Sequence, residues 1–248
     1  MIAKTLANAL DLLDYFTEER PAWGVRELAK KSGVHPAIVQ RALNTFASRK
    51  FLVKDPESQK YAIGVRFLEY GQIFKGRMNL SQLVRPLMRE LADQSGETVF
   101  LSWLSQGEAV CIEIYEAPDS IRFSIDVGTR FPLYAGANAK AIMAFLPGEE
   151  RDAVIARGLT QLAPGTICDP DALQADLATV RQQGWAASVE EFRTDTFGLA
   201  VPLFAPSGEI AGSLSIAGPL FRRDENAFPA LVARMQTLRP VIQNYISS

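Results

Sequence analysis

The stretch Val25-Arg-Glu-Leu-Ala-Lys-Lys-Ser-Gly-Val-His-Pro-Ala-Ile-Val-Gln-Arg-Ala-Leu-Asn-Thr-Phe-Ala-Ser-Arg49 decides the fold of the front of this 248-residue chain. Val25 to Lys31 reads as a short helix that buries Leu28 and Ala29 and ends in Lys30 and Lys31, where a helix dipole favours cations. Ser32-Gly33-Val34 interrupts it, with Gly33 where a helix-turn-helix needs a residue tolerant of positive φ. His35-Pro36 then opens a second helix, the proline in its first turn. Ile38, Val39, Ala42, Leu43 and Phe46 are its apolar positions, while Gln40, Arg41, Asn44, Thr45 and Arg49 remain polar. For His35 a local cap is the plain role and a phosphate contact the functional one.

Working outward, Leu6 to Phe16 carries apolar residues at 6, 9, 10, 13 and 16 on one helical face, and the polar, proline-ended run Thr17 to Pro21 stops it. Downstream, Phe51 to Lys54 and Lys60 to Gly64 flank the turn Asp55-Pro-Glu-Ser-Gln59, which predicts a β-hairpin. Three helices and a hairpin make a winged helix-turn-helix. Between Arg26 and Arg66 stand nine Lys or Arg against three Asp or Glu, whereas residues 76–248 hold 14 against 20. The net charge of −2 is therefore a basic front plus an acidic back. Only the front suits phosphates. Residue types that reach phosphates and base edges nominate Arg26, His35, Gln40, Arg41, Asn44, Thr45, Arg49, Lys54 and Lys60 as the contacts to double-stranded DNA.

Scarce side chains exclude whole classes of chemistry. The two cysteines, Cys111 and Cys168, are not in CxxC spacing and His35 is the single histidine, so neither a zinc cluster nor a disulfide framework is expected. No cofactor and no metal site is expected either. A thiol enzyme would need an activating base beside Cys168, and the back half has no histidine to supply one. Glu113, Glu116, Glu190 and Glu191 are too ordinary to assign as an acid/base pair, so no catalytic residue is nominated. No apolar run is long enough for a membrane span and the N-terminus does not read as a signal peptide, which makes a cytoplasmic protein the expectation.

Behind the hairpin, Val65 to Lys75 reads as a linker helix and Leu80 to Gln94 as another helix. Strands are expected over 97–104, 109–115, 121–127, 197–204 and 209–217, and helices over 138–145, 149–157, 171–183 and about 224–245. Strands and helices in this order predict an α+β domain. In Ala135-Gly-Ala-Asn-Ala-Lys140, small residues lead straight into a helix and leave backbone N–H groups open to an anion. A tight loop packed on the sheet, with Lys140 solvated, explains the same residues. Ile121, Phe123 and Ile125 alternate on one strand face, and with Phe100 and Trp103 they are candidates for an apolar ligand wall or for plain core.

Lys4 to Phe16, Val25 to Val34, Arg41 to Ala47 and Tyr61 to Leu68 resemble the N-terminal half of the isocitrate lyase regulator (IclR) family. In the same order, Phe131 to Ala144, Gly184-Trp185, Glu190-Glu191, Leu199 to Leu203 and Leu214 to Pro219 resemble its C-terminal half. The resemblance implies a winged helix-turn-helix over 1–64, a linker helix over 65–79 and a GAF-like effector-binding and oligomerisation domain over 80–248. It implies a homodimer or tetramer on a palindromic operator, responding to a small-molecule effector, most simply a carboxylate. Gly136 and Ala137 border the family's effector pocket, and its polar positions fall at Ser188, Gly198, Ser215 and Ala217. Only the two serines offer side-chain hydrogen bonds, which points to a roomier acid than a two-carbon one. The chain departs from the family at Ala37 and Ile38, where Ser or Thr is usual. The alternative is therefore a ligand-binding or interaction protein whose winged helix no longer binds DNA.

Overall fold

The computed structural model describes residues 3–17, 19–77, 83–117 and 125–246, in two compact units that divide after Gly76. In the first, α1 (Lys4–Asp11) passes into a 3₁₀ turn (Leu13–Tyr15), followed by β1 (Ala22–Trp23), α2 (Val25–Ser32), α3 (Pro36–Ser48), β2 (Leu52–Lys54), β3 (Tyr61–Ile63) and α4 (Arg66–Arg77). Gly33 ends α2 at φ 73°, the left-handed conformation a following helix-turn-helix corner demands. Leu12, Trp23, Leu28, Val39, Leu43, Leu52 and Tyr61 form the core of this unit. The expected hairpin is a three-stranded sheet in the order β1-β3-β2, because Ala22 and Trp23 pair with Ala62 and Tyr61. Two residues are too few for a periodicity to show, so β1 is invisible in the sequence pattern. The first helix is also shorter than its apolar periodicity, tightening to 3₁₀ over Leu13–Tyr15, whose main chain accepts the Trp23 indole N–H at Tyr15.

The second unit contains α5 (Arg85–Ser95), β4 (Thr98–Ser105), β5 (Glu108–Tyr115), β6 (Arg130–Pro132), α6 (Ala137–Met143), α7 (Gly148–Ala156), α8 (Pro170–Gln183), β7 (Ala186–Val189), β8 (Thr196–Phe204), β9 (Ile210–Pro219) and α9 (Phe228–Ile246). The six strands among its described residues form one antiparallel sheet in the order β6-β5-β4-β9-β8-β7. Of the strand expected over 121–127, residues 121–124 lie outside the described residues. Its end is not a strand: Asp126 and Thr129 close a turn, and the pairing with β5 is made by Arg130–Pro132 instead.

Strand alternation sorts this sheet into two unlike faces. Val99, Leu101, Leu199, Val201, Leu203, Leu214 and Ile216 point to one, where they pack with Met88 and Leu91 of α5 and Met235, Leu238 and Ile242 of α9. Phe100, Ser102, Ala186, Ser188, Gly198, Ala200, Ser213, Ser215 and Ala217 alternate onto the other, the face against α6. Short side chains there let the alanine-rich α6 approach closely. Trp103, a neighbour of Phe100 in sequence only in the sense of three positions, packs on the aliphatic face and is not a wall of the α6 side.

Candidate functional site

On the α6 side of the sheet lies a small, partly open cavity of about 30 Å³. Phe100, Ile125, Phe131, Phe192 and Phe197 supply aromatic and apolar wall, and Gly136, Ala137, Asn138, Ser188, Gly198, Ser215 and Ala217 line it together with Thr196, Leu199 and Ile216. Seven of the nine effector candidates, Phe100, Gly136, Ala137, Ser188, Gly198, Ser215 and Ala217, thus come together in one place. The other two, Ile121 and Phe123, lie outside the described residues. Phe131 and Phe192 were not nominated: their rings are 4.7 Å apart, and Phe192 sits on a loop with no periodicity to betray it.

Gly198 keeps this space open. A Cβ there would stand 3.0 Å from Ser188 Oγ and 3.4 Å from Ala137 Cβ, inside normal contact with both the β7 edge and α6. Gly136 enters α6 at φ 89°, a conformation that disfavours any side chain.

The amide groups at the start of α6 are in part already engaged by the chain. Gly136 N–H donates to Glu191 Oε2 at 3.0 Å, and Ala137 N–H donates to Ser188 Oγ at 2.9 Å. Ser188 therefore accepts with its oxygen and keeps its proton to donate. The Asn138 amide nitrogen donates to Ser102 Oγ at 3.2 Å. Ser215 Oγ is buried and has no hydrogen-bond partner among the described residues. Thr98 and Ser213 hydroxyls are likewise unpartnered, but they do not line the cavity.

Lys140 is not solvated. It is 1% exposed, with its ammonium 2.6 Å from Glu191 Oε1 and 2.9 Å from Asp176 Oδ2. Glu191, which looks ordinary in the sequence, therefore spans Gly136 and Lys140 and ties the loop bearing Phe192 to the head of α6. Burial pushes its carboxyl above the usual glutamate range, outweighing the pull of Lys140. With one ammonium facing two carboxylates, and no Lys, Arg or His among the described residues of the cavity wall, these residues offer a ligand hydroxyl and amide donors and no net positive charge.

In the first unit, α3 buries Val39 and Leu43 and exposes Ala37, Ile38, Gln40, Arg41, Asn44, Thr45 and Ser48. His35 Nδ1 accepts the Ala37 N–H at 3.3 Å, so its side chain caps the helix. Arg26, His35, Gln40, Arg41, Arg49 and Lys54 are exposed. Arg26, Gln40, Lys54 and Lys60 border a common groove between α2, α3 and the hairpin. Three of the nominated contacts are partly committed elsewhere. Asn44 Oδ1 accepts the Tyr61 hydroxyl at 2.6 Å, Thr45 donates its hydroxyl to the Arg41 carbonyl at 2.8 Å, and Lys60 lies 3.4 Å from Glu27. Glu27 also caps the Gly24 N–H and pairs with Arg20, which holds its carboxyl below the usual range.

Known proteins share this organisation. Residues 5–56 match the IclR helix-turn-helix domain and residues 74–241 the bacterial transcriptional regulator IclR C-terminal domain. The chain is 32% identical over 234 residues to the HTH-type transcriptional regulator KipR of Bacillus subtilis, covering 94% of this chain and 93% of that one. It is 30% identical over 222 residues to the transcriptional repressor IclR of Escherichia coli, covering 88% and 81%. Among solved structures, an IclR transcriptional regulator of Silicibacter sp. TM1040 superposes with a TM-score of 0.91 at 26% identity, covering 98% and 96% of the two chains. An IclR homologue of Microbacterium hydrocarbonoxydans, complexed with 4-hydroxybenzoate, superposes at 0.79 with 21% identity, covering 98% of each. The chain belongs to the IclR family of bacterial transcriptional regulators, DNA-binding proteins with a ligand-binding C-terminal domain.

Proposed function

We propose that the chain is a cytoplasmic, homo-oligomeric regulator that binds a palindromic operator through α3 and the β2–β3 wing and senses a small organic acid with a bulky or aromatic body. The domain scheme is a reader over 1–64, a linker over 65–79 and a sensor over 80–248. One observation carries the ligand class: the cavity joins the rings of Phe100, Phe131, Phe192 and Phe197 to the buried, unpartnered Ser215 hydroxyl and the Ser188 donor. Apolar walls with a few convergent polar groups fit a small molecule. The described wall residues offer neutral donors, so the acid is held by hydrogen bonds to them, with the body of the ligand supplying most of the affinity.

Calorimetry with 4-hydroxybenzoate, benzoate, pyruvate and glyoxylate tests this. Either aryl acid should bind more tightly than the two small acids. Tighter binding of glyoxylate or pyruvate than of any larger acid overturns the ligand class. Gel retardation of a fragment from the protein's own promoter region tests the reader. Arg41→Ala should weaken binding strongly, and raising salt from ~50 to ~200 mM should cost orders of magnitude for 6 to 10 phosphate contacts. Complete absence of binding favours an interaction protein with a silent winged helix. Ligand and operator affinities are thermodynamically linked, so an effector that changes operator binding is itself bound differently by the DNA complex, by the same factor.

A further inference from the structure

The outer face of α3 divides unexpectedly between polar and apolar groups once its internal hydrogen bonds are counted. Asn44 Oδ1 is taken by Tyr61, the Thr45 hydroxyl by the Arg41 carbonyl, and the Ser48 hydroxyl by the Thr45 carbonyl. His35 Nδ1 is taken by the Ala37 amide. Gln40 and Arg41 remain as side chains with no hydrogen bond or ion pair among the described contacts, and beside them stand Ala37 and Ile38. Ile38 is 40% exposed although two neighbouring positions, Val39 and Ala42, turn toward the core. At about 100° per residue, Ile38 falls on the same stripe as Arg41 and Thr45, one turn apart each. It lies in the first turn of α3, and the first turns of a recognition helix are where base edges are met in the major groove. The only apolar group that B-DNA presents there is the C5-methyl of thymine.

We infer that Ile38, with Ala37 beside it, is a specificity-determining residue that reads thymine methyl groups in the operator half-site. The inference rests on the reading of α3 as the recognition helix. It reverses the meaning of the departure from Ser or Thr at these positions. A hydroxyl exchanged for an isobutyl-sized side chain loses a phosphate or base hydrogen bond but gains a surface that distinguishes T from C and from uracil. Arg41, on the same stripe, supplies the charge that seats the helix against phosphates, while Gln40, about 160° round α3 from Ile38, borders the groove beside the hairpin.

Replacing single thymines by deoxyuridine in a footprinted operator fragment removes only the C5-methyl and tests this directly, with the full-length chain. At one or two thymines of each half-site, the wild-type protein should lose roughly fourfold in affinity, the equivalent of one buried methyl group. Ile38→Ala should bind the natural operator more weakly and be indifferent to uracil at those positions, and Ile38→Val should show a reduced but measurable discrimination. An operator whose uracil substitutions affect wild type and Ile38→Ala equally overturns the inference while leaving DNA binding intact. Failure of the wild-type protein to retard its own promoter DNA overturns both the inference and the reading beneath it. Ile38 is exposed, so an unchanged melting temperature of Ile38→Ala shows that the comparison is made between folded proteins.

Discussion

The two faces of the six-stranded sheet are built from the same strands and serve opposite ends. One face is a run of Val, Leu and Ile, closed by α5 and α9 with Val84, Leu101, Leu199, Leu214 and Met235 fully buried. The other is Ser, Gly and Ala, so thin that a whole helix and a cavity fit against it. Aliphatic interdigitation stabilises in proportion to the apolar area removed from water. The small-residue strands supply less of that area themselves, and α6 and α8 add it with Ile142, Met143, Leu173, Leu177 and Val180, while buried Lys140 and Glu191 with the partly exposed Asp176 tie the head of α6 in place. Both sides of the sheet carry a buried core, and the cavity lies on the α6 side.

The largest effect comes from removing Lys140, the one buried cation among the described residues. Lys140→Met should cost about 3–5 kcal/mol at neutral pH, because two carboxylates are then left facing each other without a counter-charge. The loss should shrink as the pH falls, since Glu191 takes a proton readily. Chemical denaturation at two pH values measures both. Leu214→Ala, on the aliphatic face, should cost about 2–5 kcal/mol, and ligand affinity per folded molecule should hardly change. A large drop in ligand affinity in this variant would show that the two faces are not separable.

Ser215→Ala should do the reverse. Its hydroxyl is buried with no partner among the described residues, so its removal should leave stability within about 0.5 kcal/mol or raise it. Affinity for the acid that binds best should fall roughly three- to tenfold, the worth of one hydrogen bond. Calorimetry and a denaturation curve on the same sample separate the two readouts.

The smallest effect concerns pH. Burial raises the folded-state pKa of Glu191 above its unfolded value, so the native protein binds this proton more tightly than the unfolded chain does. Its contribution to stability is fully present below the unfolded value near 4.5 and is lost as pH rises through the folded value. The stability of wild type relative to Glu191→Gln should therefore decline with rising pH above about 4.5. A flat difference would place Glu191 in a solvated setting and remove it from the comparison.

The reader unit was legible in the chain because its signals are local. Gly33 between two amphipathic runs, Pro36 at a helix start and a proline-bearing turn between short strands each act within a few residues, and each appears where the pattern put it. The cavity was legible in part. Its small residues stand out on alternating positions of β8 and β9, and the family resemblance picked out Ser188, Gly198, Ser215 and Ala217. Phe131 and Phe192 were missed, since an aromatic residue in a loop or a three-residue strand carries no periodicity. For Trp103, left open between ligand wall and plain core, the structure decides for core. It is three residues from Phe100, an odd number, and strand alternation sends it to the other face.

Local patterns along the chain specify the helix-turn-helix, the charge division between front and back, the absence of a histidine from the back half and the family resemblance. Only the tertiary structure decided that Lys140 is buried, because its partners Asp176 and Glu191 lie 36 and 51 positions away, and no local pattern links them. The same holds for which polar side chains of α3 and the wing remain uncommitted. Asn44 is claimed by Tyr61, 17 residues on, and Lys60 by Glu27, 33 residues back. Periodicity reports which face a residue is on. What occupies the space opposite that face is set by chain segments distant in sequence, and their packing alone makes a site of it.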